Sequence, residues 1–154
     1  MLRLSKLTDY ATVILSFIAR DTTQVHAAME IAAATGIALP TVSKILKRLV
    51  NAKVLSSTRG AKGGYMLARL PEHISIAAVI SALEGPIAIT ECSISQQGCD
   101  QALGCGIRGN WNLINQTIHN ALESVTLADM IRPIPAQDAQ WQQEILIPVA
   151  SLYR

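Results

Sequence analysis

The sequence is poor in aromatic and charged residues, and it holds only three cysteines in 154 positions. Aromatic residues make up 4% and charged residues 16%, whereas half of all residues are hydrophobic. So large an apolar fraction excludes a disordered chain, and a core of Ala, Ile and Leu favours helices. No uninterrupted apolar run reaches the roughly 18 residues of a membrane span. We expect a mainly helical globular protein with no membrane partner.

The N-terminus resembles an export signal only superficially. Basic residues precede an apolar run at 11–19, but Asp9 interrupts the segment and no small-residue cleavage pattern follows. Its apolar residues instead recur at the 4-3-4 spacing of an amphipathic helix: Leu7, Ala11, Ile14 and Ile18. A cytoplasmic location is therefore predicted.

Positive charge is concentrated in the N-terminal half. Residues 1–70 carry ten Lys/Arg and three Asp/Glu, a balance of +7, whereas residues 71–154 carry three and eight, a balance of −5. This asymmetry favours a polyanion contact confined to the N-terminal part. The plain alternative is a solvated surface with chance asymmetry, which charge alone leaves open.

Periodicity and boundary residues predict helices and one hairpin. Helices are expected at residues 7–20, 27–34, 40–51, 74–83 and 107–125, and strands at 54–58 and 65–68. A further short helix is expected to begin after a Thr126 cap and to end at Ile131. The fold class predicted is mainly α with a small β-hairpin.

The second and third helices have the pattern of a helix-turn-helix. Ala32 is small where the helices cross, Gly36 supplies the turn, and Val42 and Ile45 anchor the second of the two from below. N-terminal residues of such a helix meet base edges, and distal basic residues meet phosphates. We assign to bases Thr41, Ser43 and Lys44, and to the backbone Lys47 and Arg48.

The basic hairpin fits a wing. Its glycines allow close approach to a duplex, so that Arg59 and Lys62 can lie along phosphates or enter the minor groove. Each element alone is often purely structural, but their order along the chain is much more specific. We predict a winged helix-turn-helix domain over residues 1–84 that binds double-stranded operator DNA.

The long helix carries a heptad stripe. Its apolar positions alternate by four and three: Ile107, Trp111, Ile114, Ile118, Ala121 and Val125. Packing against the chain's own core is one explanation. The stripe is longer than a small domain covers, so a homodimer seam is favoured over residues 107–131, with a tail at 132–154.

All the cysteines fall in one irregular stretch, within residues 85–106. The cysteines are Cys92, Cys99 and Cys105. Glycines precede the last two and follow the third, which permits sharp turns, and the odd number of cysteines argues against a disulfide framework. Metal ligation fits best. Three thiolates and a fourth ligand suit zinc or an iron–sulfur cluster. The missing C-x₂-C knuckle counts modestly against zinc, but the spacing does not decide.

Several segments together resemble a known family. They are LRLSKLTDYA, the wing TRGAKGGYML, the three-cysteine loop and TLADMI, and they span about residues 1–131. The sequence resembles the IscR/NsrR type of winged-helix regulators, most closely the branch that controls SUF iron–sulfur assembly. The resemblance implies a homodimeric transcription repressor that senses cluster, redox or nitric oxide status. It also implies three cysteine ligands, Cys92, Cys99 and Cys105, and a wing arginine, Arg59.

The fourth ligand departs from the IscR pattern. IscR-like members place a histidine three residues after the third cysteine, where this chain has Arg108, which stays protonated and does not normally bind metal. NsrR-like members use an aspartate of the partner subunit, and Asp9 matches it; a favourable charge in a helix's first turn is the alternative. Glu91 and Asp100 are fallback ligands, and ordinary roles are expected for His26, His73 and His119. The cluster is [2Fe-2S] or [4Fe-4S].

Two other functions remain to be tested. One is a winged-helix regulator whose zinc only stabilises the structure of the loop. The other is a cluster-carrying redox protein that uses its winged helix to dock to another protein. The sequence has no nucleophile–base pair and no phosphate-cradling loop, so we expect neither an enzyme nor a small-molecule substrate. In the favoured mechanism, cluster binding orders residues 90–106 and so sets the separation of the two recognition helices.

Overall fold

The computed structural model describes residues 3–60, 62–94 and 105–132. The elements follow in this order: α1 (Lys6–Ile18), α2 (Ala28–Thr35), α3 (Leu39–Asn51), β1 (Leu55–Thr58), β2 (Gly64–Leu67), α4 (Ile76–Glu84), α5 (Glu91–Ile94), α6 (Arg108–Ser124) and α7 (Leu127–Ile131). The two strands pair antiparallel, with Leu55 opposite Leu67 and Thr58 opposite Gly64. The predicted fold class, mainly helical with a β-hairpin wing, is confirmed.

Helix α1 forms the centre of the core. Ser5 caps its N-terminus, since the Ser5 hydroxyl accepts from the Thr8 N–H at 3.4 Å. One face is fully buried, including Ala11, Ile14 and Ile18 of the predicted stripe. Burying each large aliphatic side chain stabilises the fold by about 1.5–3 kcal/mol. Helix α1 thereby packs against α2, α3 and α4.

The turn between α2 and α3 is set by Gly36. Its backbone adopts the left-handed conformation (φ 70°), and its N–H donates to the Ala32 carbonyl at 3.0 Å. That conformation favours glycine because no Cβ meets the backbone. Helix α3 then begins at Leu39, with Pro40 in its first turn, and buries one complete face: Val42, Ile45, Leu46 and Leu49.

The segment that joins α6 to α7 is hydrogen-bonded to the segment that leads into α4. Ile76 N–H donates to the Val125 carbonyl and Leu127 N–H to the Ile74 carbonyl, each at 2.8 Å. Thr126 caps α7, and the Asp129 carboxylate accepts from the Thr126 N–H at 2.9 Å, as predicted for this short helix. Leu127 is fully buried in the same core as α1.

Two short elements differ from the predicted pattern. A 3-10 turn occupies Pro71–His73, so α4 begins at Ile76 rather than at residue 74. Helix α5 lies in the stretch predicted to be wholly irregular. Among the described residues, no single helix is long and apolar enough to cross a membrane, and only the sharply bent pair α2 and α3 reaches that length and composition together.

Candidate functional site

Helix α3 presents a polar face opposite its buried one. Ser43, Lys44 and Lys47 are exposed, and Thr41 in the first turn is half-buried. The opposite face is held rigidly in the core, so these side chains project from a fixed platform. The structure therefore places all five predicted DNA-contacting residues of α3 outside the core, with Arg48 exposed as well.

Arg48 has a protein partner. Its guanidinium Nη1 donates to the Leu83 carbonyl in the last turn of α4. Carbonyls at a helix C-terminus lack partners within the helix and carry partial negative charge, so a guanidinium is a suitable donor. Arg48 thus joins the recognition helix to α4, while its predicted contact with DNA phosphate stays a prediction.

The wing carries its two predicted basic residues on an exposed tip. Arg59 and Lys62 are both exposed, and Gly60 between them has a φ of 118°. Such a backbone conformation is strained for residues with a Cβ, so glycine suits this turn. The tip therefore presents positive charge in a geometry that a bulkier sequence would not readily adopt.

The base of the wing is fixed to the segment before α2. His26 N–H donates to the Tyr65 carbonyl and Tyr65 N–H to the His26 carbonyl, both at 2.9 Å. A Cβ on Gly64 would lie 2.5 Å from the His26 carbonyl oxygen. Sequence periodicity gave no sign of this contact, because one isolated bridge has no repeating pattern. The close approach positions the wing relative to α2 and α3.

Substituting Gly64 with alanine should separate the wing from this anchor. The added methyl meets backbone atoms, which cannot rotate away, so we expect the free energy of unfolding to fall by about 1–3 kcal/mol. Gly109→Ala is the control, since its Cβ would enter open space. Thermal unfolding should show a lower midpoint for Gly64→Ala only; equal midpoints would contradict the anchoring.

His26 is a packing residue, as expected. It is 4% exposed, its Nδ1 lies 2.9 Å from Glu30 Oε1, and its ring meets Phe17 edge-on at 5.0 Å. The hydrogen bond from His26 lowers the pKa of Glu30 below its ordinary value. His73 is exposed and His119 is half-buried. Among the described residues, no group of three or more His, Cys, Asp or Glu side chains is placed to hold a metal ion.

The carboxylate of Glu84 joins α4 to the start of α1. Its Oε1 accepts from the Thr8 hydroxyl at 2.5 Å and from the Ser5 N–H at 2.8 Å. The Thr8 hydrogen bond, followed by that of Ser5, lowers the pKa of Glu84. Asp9, the predicted partner-subunit ligand, is exposed in this first turn, and its role as a ligand stays a prediction.

The cysteine segment is described in part. Cys92 lies within α5, where the structure describes the backbone only. Cys99 and the fallback ligand Asp100 lie outside the described residues. Glu91, the other fallback ligand, is exposed at the start of α5. Cys105 is a free, half-buried thiol just before α6.

Two features around Cys105 fit an anionic sulfur centre. The Arg108 N–H donates to the Cys105 carbonyl at 3.3 Å, and Arg108 Nε is buried with no hydrogen-bond acceptor in the part of the chain described. A charged donor without a partner suits an anion nearby. The N-terminal end of α6 also favours negative charge. Arg108 thus fits beside such a centre, although it is no metal ligand.

Two asparagines of α6 make hydrogen bonds to the chain between α4 and the cysteines. Asn115 is hydrogen-bonded to the backbone of Ile87 and Ile89, and Asn112 lies 3.5 Å from the Ser93 hydroxyl. The sequence pattern did not single out either asparagine, although their three-residue spacing on a helix places them on one face. They hold the segment that leads into the cysteines.

The heptad stripe is partly exposed. No residue of α6 is fully buried, and the exposed fractions of three stripe positions are 58% for Ile107, 44% for Ile114 and 38% for Val125. Trp111 and Ile118 are half-buried. The domain therefore covers only part of the stripe, which agrees with the reason for expecting a dimer seam; the dimer itself stays a prediction.

Sequence comparisons match this chain to a family of transcriptional regulators. The Rrf2 family, described as "Iron-dependent Transcriptional regulator", matches residues 4–133. Protein rrf2 of Nitratidesulfovibrio vulgaris is 34% identical over 67% of this chain and 69% of its own length. The transcriptional regulator IscR of Erwinia tasmaniensis is 29% identical over 73% of this chain and 62% of its own length.

Solved structures have the same fold. CymR, the global cysteine regulator of B. subtilis, matches with a TM-score of 0.65 and 28% identity over 85% of this chain and 97% of its own. IscR of T. potens matches with a TM-score of 0.62 and 26% identity over 92% of this chain and 91% of its own. The expectations of a regulator rather than an enzyme, and of an IscR-type winged helix, are confirmed. The chain belongs to the Rrf2 family of winged-helix transcriptional regulators.

Proposed function

We propose that this protein is a homodimeric, cytoplasmic transcription repressor whose affinity for operator DNA depends on an iron–sulfur cluster. The observation that carries the DNA-binding part is the exposed row Ser43, Lys44 and Lys47 on a helix whose opposite face is buried. A rigid helix with polar and basic residues toward its N-terminal half is suited to the major groove. The exposed basic tip of the wing adds contacts to the flanking backbone.

The cluster is proposed to be held by Cys92, Cys99 and Cys105. The donor set supports this, because thiolates are the usual ligands of iron–sulfur clusters, and Arg108 supplies positive charge beside Cys105. The partner's Asp9 is proposed as the fourth ligand, for a [2Fe-2S] or [4Fe-4S] cluster. When bound, the cluster supplies a group sensitive to oxidation, nitric oxide and iron supply. The genes proposed to be controlled are those of iron–sulfur assembly.

The dimer is proposed to form along α6. Ile107, Ile114 and Val125 repeat at heptad-compatible intervals and remain 38–58% exposed. A second copy of the same helix offers the complementary apolar stripe, so both would be covered at once. A dimer also pairs two recognition helices, as half-sites one turn of DNA apart require.

Salt dependence of binding to the protein's own upstream DNA tests the proposed function. Lys47, Arg59 and Lys62 of both subunits would give six phosphate contacts, so a plot of log affinity against log salt should have a slope of about −5. The protein should be purified without oxygen, and its iron, sulfide and zinc should be measured alongside. A slope near zero would contradict DNA binding. Zinc in place of iron and sulfide would favour the structural-zinc alternative.

A further inference from the structure

Asn115 of α6 makes two hydrogen bonds to the chain that leads into the cysteines. Its Oδ1 accepts from the Ile89 N–H at 3.1 Å, and its Nδ2 donates to the Ile87 carbonyl at 3.2 Å. The two bonds use opposite ends of one amide, so they fix both the orientation of the side chain and the position of the backbone beside it. All three residues are half-buried.

A second contact lies one helical turn away. Ser93 Oγ pairs with Thr90 Oγ1 at 2.9 Å and lies 3.5 Å from Asn112 Oδ1. Asn112 and Asn115 share a face of α6 because they are three residues apart. Cys92 lies between Thr90 and Ser93 in the chain. The segment around Cys92 therefore contacts α6 at two successive points, through the backbone of Ile87 and Ile89 and through the Ser93 side chain.

The surface between residues 85–89 and α6 is otherwise mostly apolar and does not fix a register by itself. A groove of about 520 Å³ lies between α4, residues 85–89 and α6, and its lining includes Ile80, Pro86, Ile87, Ile118 and Leu122. Apolar contacts are non-directional, so they hold the surfaces together without selecting one sliding position. Hydrogen bonds have strict distance and angle requirements. The asparagine bonds are the directional contacts between the cysteine segment and α6, whereas the Ser75 hydroxyl, which donates to Glu123 Oε2 at 2.8 Å, fixes the far end of α6 to the start of α4.

We propose that Asn115 is a positioning residue that fixes the register between the cysteine segment and α6, and so transmits the state of the cysteine site to the dimer helix. The transmission part rests on the proposed function. Helix α6 contacts α4, whose Leu83 carbonyl accepts from Arg48 of the recognition helix. If the cysteine segment moves, Asn115 moves α6 with it, and this movement changes the distance between the two recognition helices of the dimer.

The test compares Asn115→Asp with Asn120→Asp in the full chain, purified without oxygen. The first variant keeps the acceptor for Ile89 N–H but sets a carboxylate oxygen against the Ile87 carbonyl. The second makes the same chemical change on the exposed side of α6, where Asn120 Oδ1 only accepts from Gln116 at 2.8 Å. Iron, sulfide and operator Kd are measured for each protein with and without its cluster.

The quantity compared is the ratio of the operator Kd without the cluster to the operator Kd with it. We expect this ratio to differ from 1 by about fivefold or more in the wild type and in Asn120→Asp, and to approach 1 in Asn115→Asp with iron content retained. If Asn115→Asp keeps the wild-type ratio, the role of Asn115 is wrong, whereas the proposed function is not affected. A wild-type ratio of 1 contradicts the proposed sensing and, with it, the transmission by Asn115.

Hydrogen exchange measures the contact without any cluster. In cluster-free protein, Asn115→Ser, whose shorter side chain removes the acceptor for the Ile89 N–H, should accelerate exchange of the Ile89 amide by about tenfold, whereas Asn120→Ser should not. This variant also keeps the proposal testable if the aspartate variant folds poorly. Unchanged exchange at Ile89 in folded Asn115→Ser overturns the positioning role, whatever the operator affinities are.

Discussion

Replacing Cys105 with alanine is expected to abolish the visible absorbance and the acid-labile sulfide of protein purified without oxygen. Cys105 is a free, half-buried thiol just before α6, three residues ahead of Arg108, whose Nε is buried with no hydrogen-bond acceptor among the described residues. A cluster that needs three thiolates does not persist with two, because the vacated iron site opens to solvent and oxidants. Operator affinity should also change by about fivefold or more, as for a coupled effector.

Gly106→Ala is the matched control for this substitution. It changes the neighbouring position, and its added Cβ would meet open space. Iron, sulfide and operator affinity should therefore stay at wild-type values. If Cys105→Ala instead kept a full complement of iron and sulfide, Cys105 would not be a ligand, and the proposed three-cysteine site would be wrong.

Replacing Lys44 with alanine is expected to weaken operator binding by about 5- to 150-fold and to relax the base preference at one position in each half-site. Lys44 is exposed near the N-terminal end of α3, where side chains of a groove-reading helix meet base edges. Lys47→Ala should act differently. It should weaken binding to all sequences alike and make the salt slope shallower by about 1 for each phosphate that is no longer neutralised.

Arg132→Ala is the control for charge. It removes one positive charge as the lysine variants do, but Arg132 is exposed beyond α7, where it lies 3.6 Å from Asp129. A fluorescence-anisotropy titration of operator and scrambled DNA, at two salt concentrations, separates the three variants. If Lys44→Ala weakened binding no more than Arg132→Ala does, α3 would not be the base-reading element.

The elements that the sequence predicted well are those with a repeating pattern or a cap. Helix α3 has four buried apolar positions on one side, and the helix before it ends at a glycine, so both follow from the residues themselves. Helix α7 carries a threonine cap with Asp129 three residues on. In these segments, local pattern and tertiary packing favour the same structure.

The contacts that sequence reasoning missed are long-range and involve single residues. Arg48 was assigned to the outer face of α3 correctly, but a periodic pattern does not show that Leu83 of another helix lies within its reach. The pairing of His26 with Tyr65 is one isolated bridge. Helix α5 has four residues, too few for any periodicity to appear.

Polar contacts of α6 were not predicted from its sequence. Heptad spacing identified a surface for a second helix, yet Asn112 and Asn115 make the directional contacts with the cysteine segment. Asparagine is a poor helix former, so two of them at helical spacing are better explained by partners than by propensity. Polar residues at three- or four-residue spacing would have been the signal.

Occupancy of the cysteine site is proposed to change the affinity of α3 and the wing for DNA. The most direct measurement takes a single preparation, made without oxygen, and titrates operator DNA before and after a chelator removes the metal. We expect the visible absorbance to disappear and the operator Kd to shift by about fivefold or more. A Kd that is the same with and without the metal would contradict it.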